Sequence, residues 1–125
     1  MDDIQNNNNV AGAKNQALPE TFKALGKAMS EVEKERLKPG LSVDEYAVLE
    51  KASVELRKIE RNLIKDVNDK ILEQVKKDSA VLKELASDIR ARGKRFSSLT
   101  LALDKINKKL RDFLEIEKSL KDRLL

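Results

Sequence analysis

Apolar residues recur at helical spacing from Leu18 onwards. The steps alternate between four and three residues, which places these side chains on one stripe of a helix. The stripe consists of Leu18, Phe22, Leu25, Met29 and Val32. The segment Lys38-Pro39-Gly40 ends the pattern, because proline disfavours helical geometry at the residue before it and glycine permits a turn. The pattern predicts a first helix over residues 18–38.

A second helix begins with the clearest local signal in the chain. Glu45 follows Ser42 by three residues, the spacing at which each side chain satisfies a free backbone N–H of the other residue. An apolar stripe with heptad spacing comes next. Its members are Leu49, Ala52, Leu56, Ile59 and Leu63. The capping signal and the stripe together predict a helix over residues 43–65.

The spacing changes between Leu63 and Val75, where apolar residues recur at every fourth position. One explanation is a continuous helix whose stripe shifts locally. The other is a helix break, after which Asp66, Asn68 or Asp69 caps a new helix. We favour the break, because three capping-type residues interrupt a run of strong helix formers.

A single heptad frame then accounts for most apolar residues from Ile71 to Leu124. The polar exceptions at its core positions are Asp78, Arg92 and Glu117. The residues that follow the frame are Ile71, Val75, Leu82, Leu85, Ile89, Phe96, Leu99, Leu103, Ile106, Leu110, Phe113, Leu120 and Leu124. The frame keeps its phase through "RARGKR" at residues 90–95, as one long helix would require.

Gly93 favours a break within this frame. In a continuous helix the glycine costs about 1 kcal/mol relative to alanine, and Arg92 would occupy a core position. In a helical hairpin Gly93 adopts the left-handed conformation past a helix end, and Ser97 or Ser98 caps the following helix. We favour the hairpin, which predicts helices over residues 69–92 and 97–123.

These elements predict an all-α protein with an up-down-up-down four-helix bundle, because short loops make successive helices antiparallel neighbours. The alternative is an extended helical hairpin or coiled coil, as a monomer or as a dimer. Residues 1–17 include four consecutive asparagines and show no apolar period. They are predicted to form a flexible N-terminal tail, and residues 18–125 a single helical domain.

Composition limits the chemistry of this chain. Aromatic residues make up 3%, and Ala, Glu, Lys, Leu and Arg roughly half, as in long amphipathic helices. The chain has no Cys and no His, which excludes thiolate and imidazole ligands and the usual activated nucleophiles. We expect no enzymatic activity, no catalytic residue, no cofactor and no bound metal. Without an apolar run long enough for a membrane span or a secretory signal, we expect a cytoplasmic protein.

Surplus apolar residues on the last predicted helix indicate a protein-binding role. They lie outside the heptad frame, so this helix presents more than one apolar stripe. The candidate partner-binding residues are Leu101, Leu114, Ile116 and Leu125. We expect a non-enzymatic interaction module, such as a small adaptor, a chaperone-like protein or an assembly subunit. Its partner would be another protein or a second copy of the chain.

Sequence-independent nucleic-acid binding is the alternative function. Residues 90–125 carry 11 Lys and Arg against 5 Asp and Glu, whereas the preceding residues are slightly acidic. The candidate phosphate-contacting residues are Arg90, Arg92, Lys94, Arg95, Lys105, Lys108, Lys109 and Arg111. A membrane-bound C-terminal helix is not favoured, because that helix has no Trp and its polar face carries both signs of charge.

Overall fold

The computed structural model describes the backbone over residues 2–65 and 69–124, and side chains over residues 18–65 and 70–118. The helices are α1 (Asp2–Arg36), α2 (Val43–Ile64), α3 (Asp69–Arg90) and α4 (Ser97–Leu124), with a 3-10 turn at Lys94–Phe96. The predicted tail over residues 1–17 falls where side chains are not described, so the division of the chain at residue 18 stays a prediction. The first helix was predicted over residues 18–38, whereas α1 starts at Asp2, continues through Pro19 and ends at Arg36.

The four helices pack as a closed ring. Each consecutive pair is in contact, and α4 returns to pack against α1. Short connections make successive helices antiparallel, so the all-α, up-down-up-down four-helix bundle is confirmed. The extended hairpin is wrong as a description of this chain, because α4 folds back along α3 and α1 and their apolar stripes meet in one shared core.

The corner between α1 and α2 follows its local sequence. α1 ends at Arg36. Gly40 has a φ of 78°, a backbone angle that is unfavourable for residues with a side chain. The Ser42 hydroxyl accepts the Glu45 N–H at 3.1 Å, and the Glu45 carboxylate accepts the Ser42 N–H at 3.0 Å. The predicted capping box is therefore confirmed. The hydrogen bond from the Ser42 backbone lowers the pKa of Glu45.

The predicted break between the second and third helices is also confirmed. α2 ends at Ile64, and Lys65 is extended, with a ψ of 161°. α3 starts at Asp69, so a continuous helix with a shifted stripe is excluded. The proposed capping side chains of Asp66, Asn68 and Asp69 lie outside the described residues.

The third corner forms at Gly93, as the hairpin interpretation requires. α3 ends at Arg90, and Gly93 has a φ of 90° while its N–H donates to the Arg90 carbonyl at 3.1 Å. The expected serine cap at Ser97 is wrong. A 3-10 turn at Lys94–Phe96 runs directly into α4, so Ser97 already has helical angles of −57° and −42°. Ser98 lies within α4.

The predicted stripes form the core. Leu25, Val32 and all five stripe residues of the second helix are buried, while Leu18, Phe22, Met29 and Ile71 pack against the core from its edge. The other buried frame residues are Val75, Leu82, Leu85, Ile89, Phe96, Leu99, Leu103, Ile106, Leu110 and Phe113. Asp78 and Glu117 are buried as well, whereas Arg92 is exposed at the corner.

Candidate interaction surfaces

A groove of about 890 Å³ runs along the outer side of the contact between α3 and α4. Its walls come from residues 72–83 of α3 and residues 107–118 of α4. Since an α-helix rises about 1.5 Å per residue, the groove is about 16 Å long, or three helical turns. This length matches the i, i+3 or i+4, and i+7 anchors of a helix bound in a groove. We call this surface the α3–α4 groove.

The α3–α4 groove has a floor of apolar and buried polar residues, among them Glu117, and a mostly basic rim. Leu72 and Leu114 are half-buried and pack against the core. Beside them the Ser79 hydroxyl donates to the Asn107 amide oxygen, which joins the two helices. The exposed charged residues of the rim are Lys76, Lys83, Arg111, Lys118, Glu73 and Glu115. Four cations against two exposed carboxylates make this rim attractive to an acidic surface.

The candidate apolar residues do not share one surface. Leu114 lines the α3–α4 groove, whereas Ile116 is half-buried and lies about 200° further around the helix. Leu101 is 69% exposed near the start of α4. Leu125 lies outside the described residues. Their role in partner binding stays a prediction.

Sequence reasoning missed the contribution of α3 to this groove. Leu72 and Ala80 line it together with Leu114, although neither was a candidate. Leu72 lies beside the frame residue Ile71 and outside the heptad frame, the same signal that marked Leu114. The sequence does not reveal which two helices bring such residues together, because that depends on how the helices pack.

Two of the basic residues at the corner between α3 and α4 form contacts within the protein. Arg90 forms an ion pair with Asp104. Arg95 donates to the backbone carbonyls of Pro39 and Gly40. Arg92 and Lys94 are exposed and form no ion pair with any residue whose side chain the structure describes.

The four basic candidates on α4 differ in their surroundings. Arg111 lines the α3–α4 groove. Lys109 is half-buried, and its carbonyl accepts the Thr21 hydroxyl of α1 at 3.5 Å. Lys105 and Lys108 are exposed. The nucleic-acid hypothesis stays a prediction.

A buried polar network joins α2 to α3 around Asp78. The Asp78 carboxylate is 1% exposed and accepts Asn62 Nδ2 at 2.7 Å and Gln74 Nε2 at 3.0 Å. Lys58 Nζ lies 3.7 Å from the same carboxylate. The sequence identified Asp78 as a polar residue at a core position, but it did not identify the residues that surround it.

Glu55 is the second carboxyl group of this network. Its side chain is buried, and its Oε1 atom has no hydrogen-bond partner among the described residues. Burial raises the pKa of Glu55, and the negative charge of Asp78 and a hydrogen bond to Asp78 raise it further. This residue was missed because Glu55 lies next to the predicted stripe residue Leu56 and not on the stripe itself.

The described residues contain no group of three or more His, Cys, Asp or Glu side chains arranged to hold a metal ion. In the same part of the chain, no helix has the length and apolar content needed to cross a bilayer. No family model, curated protein or solved structure matches this chain. Its function must therefore be inferred from the surfaces described above.

Proposed function

We propose that this protein is a non-enzymatic helical interaction module that binds an amphipathic helix of a protein partner in the α3–α4 groove. Such a module would serve as a small adaptor, a chaperone-like protein or an assembly subunit. The observation that carries the proposal is a groove about three helical turns long between two packed helices, with the apolar residues Leu72, Ala80 and Leu114 in its lining.

The floor supplies the binding energy. Leu72 and Leu114 are only half-buried in the free protein, so a bound helix would remove their remaining apolar surface from water. Each Å² of apolar surface buried contributes about 25 cal/mol before the entropic cost of association is subtracted. Leucine-like anchors of a partner helix would contribute in the same way from the other side.

The rim selects the partner by charge. The excess of exposed Lys and Arg favours a helix whose solvent-facing residues are acidic. A second copy of this chain is a poorer occupant, because two copies of the same groove would bring one basic rim against another. We therefore expect a different protein with an acidic amphipathic helix.

The test uses two fluorescent synthetic amphipathic helices of about five turns with identical leucine anchors. One carries Glu at all other positions and the second carries Lys. Fluorescence anisotropy should show tighter binding of the acidic peptide. Ala80→Glu should weaken that binding about tenfold or more, because the new side chain fills the exposed groove floor and pairs with Lys76 and Lys83.

Ala47→Glu is the matched control. It makes the same change at another exposed helical alanine outside the groove, and peptide affinity should not change. Equal affinity for both peptides, or equal effects of the two substitutions, would refute a groove-specific acidic partner. If light scattering shows a dimeric mass for the unmodified protein and a monomeric mass for Ala80→Glu, the groove binds a second copy of this chain and not a helix of another protein.

A further inference from the structure

The end of the bundle opposite the chain termini displays apolar side chains that the core does not use. Leu37 is 84% exposed, Val43 86% and Tyr46 47%. All three lie at the corner between α1 and α2, where Leu41 packs against the core instead. Exposure this high means that Leu37 and Val43 project from the surface and do not line a pocket. We call the surface formed by residues 36–46 and 90–96 the loop end.

The two corners of the loop end are held together by hydrogen bonds. The Arg95 guanidinium donates to the Pro39 and Gly40 carbonyls, and Lys38 Nζ donates to the Arg95 carbonyl at 3.3 Å. The Tyr46 hydroxyl donates to the Arg36 carbonyl at 3.4 Å. The contacts of Arg95 and Lys38 connect the apolar corner to the basic corner, whereas the Tyr46 contact lies within the apolar corner.

The loop end carries more cations than carboxylates, with six Lys and Arg against Asp44 and Glu45. Arg92, Lys94 and Arg95 form no ion pair with any residue whose side chain is described, whereas Arg36, Lys38 and Arg90 are paired with carboxylates. The Glu45 carboxylate caps α2 and also interacts electrostatically with Arg92 and Arg95. The loop end thus combines an excess of positive charge with two projecting aliphatic side chains.

We propose that the loop end docks on an anionic lipid bilayer. Unpaired Lys and Arg side chains attract anionic headgroups, and projecting aliphatic side chains enter the apolar layer below them. Tyr46 has the amphipathic ring that is enriched at membrane interfaces. A nucleic acid would satisfy the cations but offers no fluid apolar phase for Leu37 and Val43. This surface is separate from the C-terminal helix, and docking here leaves the α3–α4 groove open.

The experiment is co-sedimentation of the full chain with vesicles of phosphatidylcholine containing about 30% phosphatidylserine, compared with pure phosphatidylcholine. We expect binding to the anionic vesicles that weakens with added salt, and much weaker binding to the neutral ones. No binding of the unmodified protein to anionic vesicles would overturn the proposal.

The apolar part is tested by the double substitution Leu37→Ser and Val43→Ser, at positions too exposed to affect folding. Binding to anionic vesicles should fall about tenfold. The matched control, Val54→Ser with Ile64→Ser, removes two exposed aliphatic side chains from α2 and should not change binding. Equal binding by the unmodified and the Leu37/Val43 protein would reject bilayer insertion.

The basic part is tested by Arg92→Glu with Lys94→Glu. Affinity for anionic vesicles should fall about fivefold for each cation removed, and further because the charges are reversed. Lys70→Glu with Lys77→Glu changes net charge equally at exposed positions of α3 away from the loop end, and should have a much smaller effect. Similar losses of vesicle affinity in both double variants would mean that only the net charge of the protein matters. That result would overturn the proposal that the loop end is the docking surface.

A fluorescent DNA duplex separates lipid from nucleic acid as the partner. Under the lipid proposal the duplex binds no more tightly than the anionic vesicles, and its binding does not depend on the loop end. Tight duplex binding that requires Arg92 and Lys94 but not Leu37 and Val43 would assign the loop end to nucleic acid and refute lipid docking.

Discussion

Asp78 and Ser79 are adjacent buried residues of α3 that face different neighbours. Asp78 reaches Asn62 and Lys58 of α2, whereas Ser79 reaches Asn107 of α4. Successive residues of a helix point about 100° apart, so one step along the chain moves a side chain from one helix contact to the next.

The two contacts differ in what their buried polar groups require. The Ser79 hydroxyl is satisfied by a single amide oxygen. The Asp78 carboxylate recruits two amide donors and an ammonium group, and it still faces the carboxyl group of Glu55. A buried charge needs several favourable partners to offset its lost hydration, whereas a neutral hydroxyl needs one. The α2–α3 contact should therefore be the more sensitive to substitution.

Asp78→Ala should give the largest effect in this comparison. It leaves the amide donors of Asn62 and Gln74 and the Lys58 ammonium without their shared acceptor, so the free energy of unfolding should fall by about 2 kcal/mol. Urea denaturation followed by circular dichroism measures the change. Asp104→Ala is the control, because that carboxylate is 46% exposed and its ion pair should contribute at most about 1 kcal/mol. Equal losses would remove the distinction between buried and exposed carboxylates.

Ser79→Ala should have a smaller effect. One neutral hydrogen bond to Asn107 is lost, and stability should fall by about 1 kcal/mol in the same urea experiment. Ser87→Ala, at an exposed position of the same helix, should change stability by less than about 0.5 kcal/mol. If Ser79→Ala lowers the free energy of unfolding more than Asp78→Ala does, the α3–α4 contact is more sensitive to substitution than the α2–α3 contact, which contradicts the prediction.

Glu55→Gln should give the smallest change in the free energy of unfolding, and this change should be an increase. Because the folded-state pKa of Glu55 is raised above the ordinary value of 4.5, its contribution to stability is fully present below that pH. The contribution is lost as pH rises through the raised pKa, since the folded protein then holds an ionised Glu55 beside Asp78. Glu55→Gln removes this loss and should stabilise the protein at about pH 7 by up to about 1 kcal/mol.

The measurement for Glu55 is urea denaturation across a pH series. The advantage of Glu55→Gln over the unmodified protein should shrink as pH is lowered towards about 4. Glu84→Gln, at an exposed position of α3, should show no such trend. An advantage that grows on acidification would contradict the raised pKa.

Local signals predicted most of the fold. Ser42 and Glu45 marked the start of α2, and Gly93 marked the corner before α4, because capping and positive φ depend on neighbouring residues alone. The serine cap at Ser97 failed for a related reason. A 3-10 turn satisfies the same backbone amides, and the sequence does not distinguish these two ways of starting a helix.

The candidate surfaces were only partly predictable. Leu114 was identified from its position outside the heptad frame, but its partners Leu72 and Ala80 were not. The basic residues of α4 looked like one cluster in the sequence, and the structure shows that Arg111 lines the groove whereas the Lys109 carbonyl contacts α1. The sequence did not identify Leu37 and Val43 as exposed surface residues, because two isolated apolar residues beside a turn do not form a periodic pattern.

The sequence by itself determined that this chain is helical, where the three corners between its helices lie, and which stripe of each helix enters the core, since these depend on spacing and turn signals along the chain. Only the tertiary structure decided that Asp78 faces Glu55, that Leu72 and Leu114 share a groove, and that Arg95 joins the two corners of the loop end. Such contacts depend on the rotation and axial offset of one helix against another, and those are set by side-chain packing across the whole bundle.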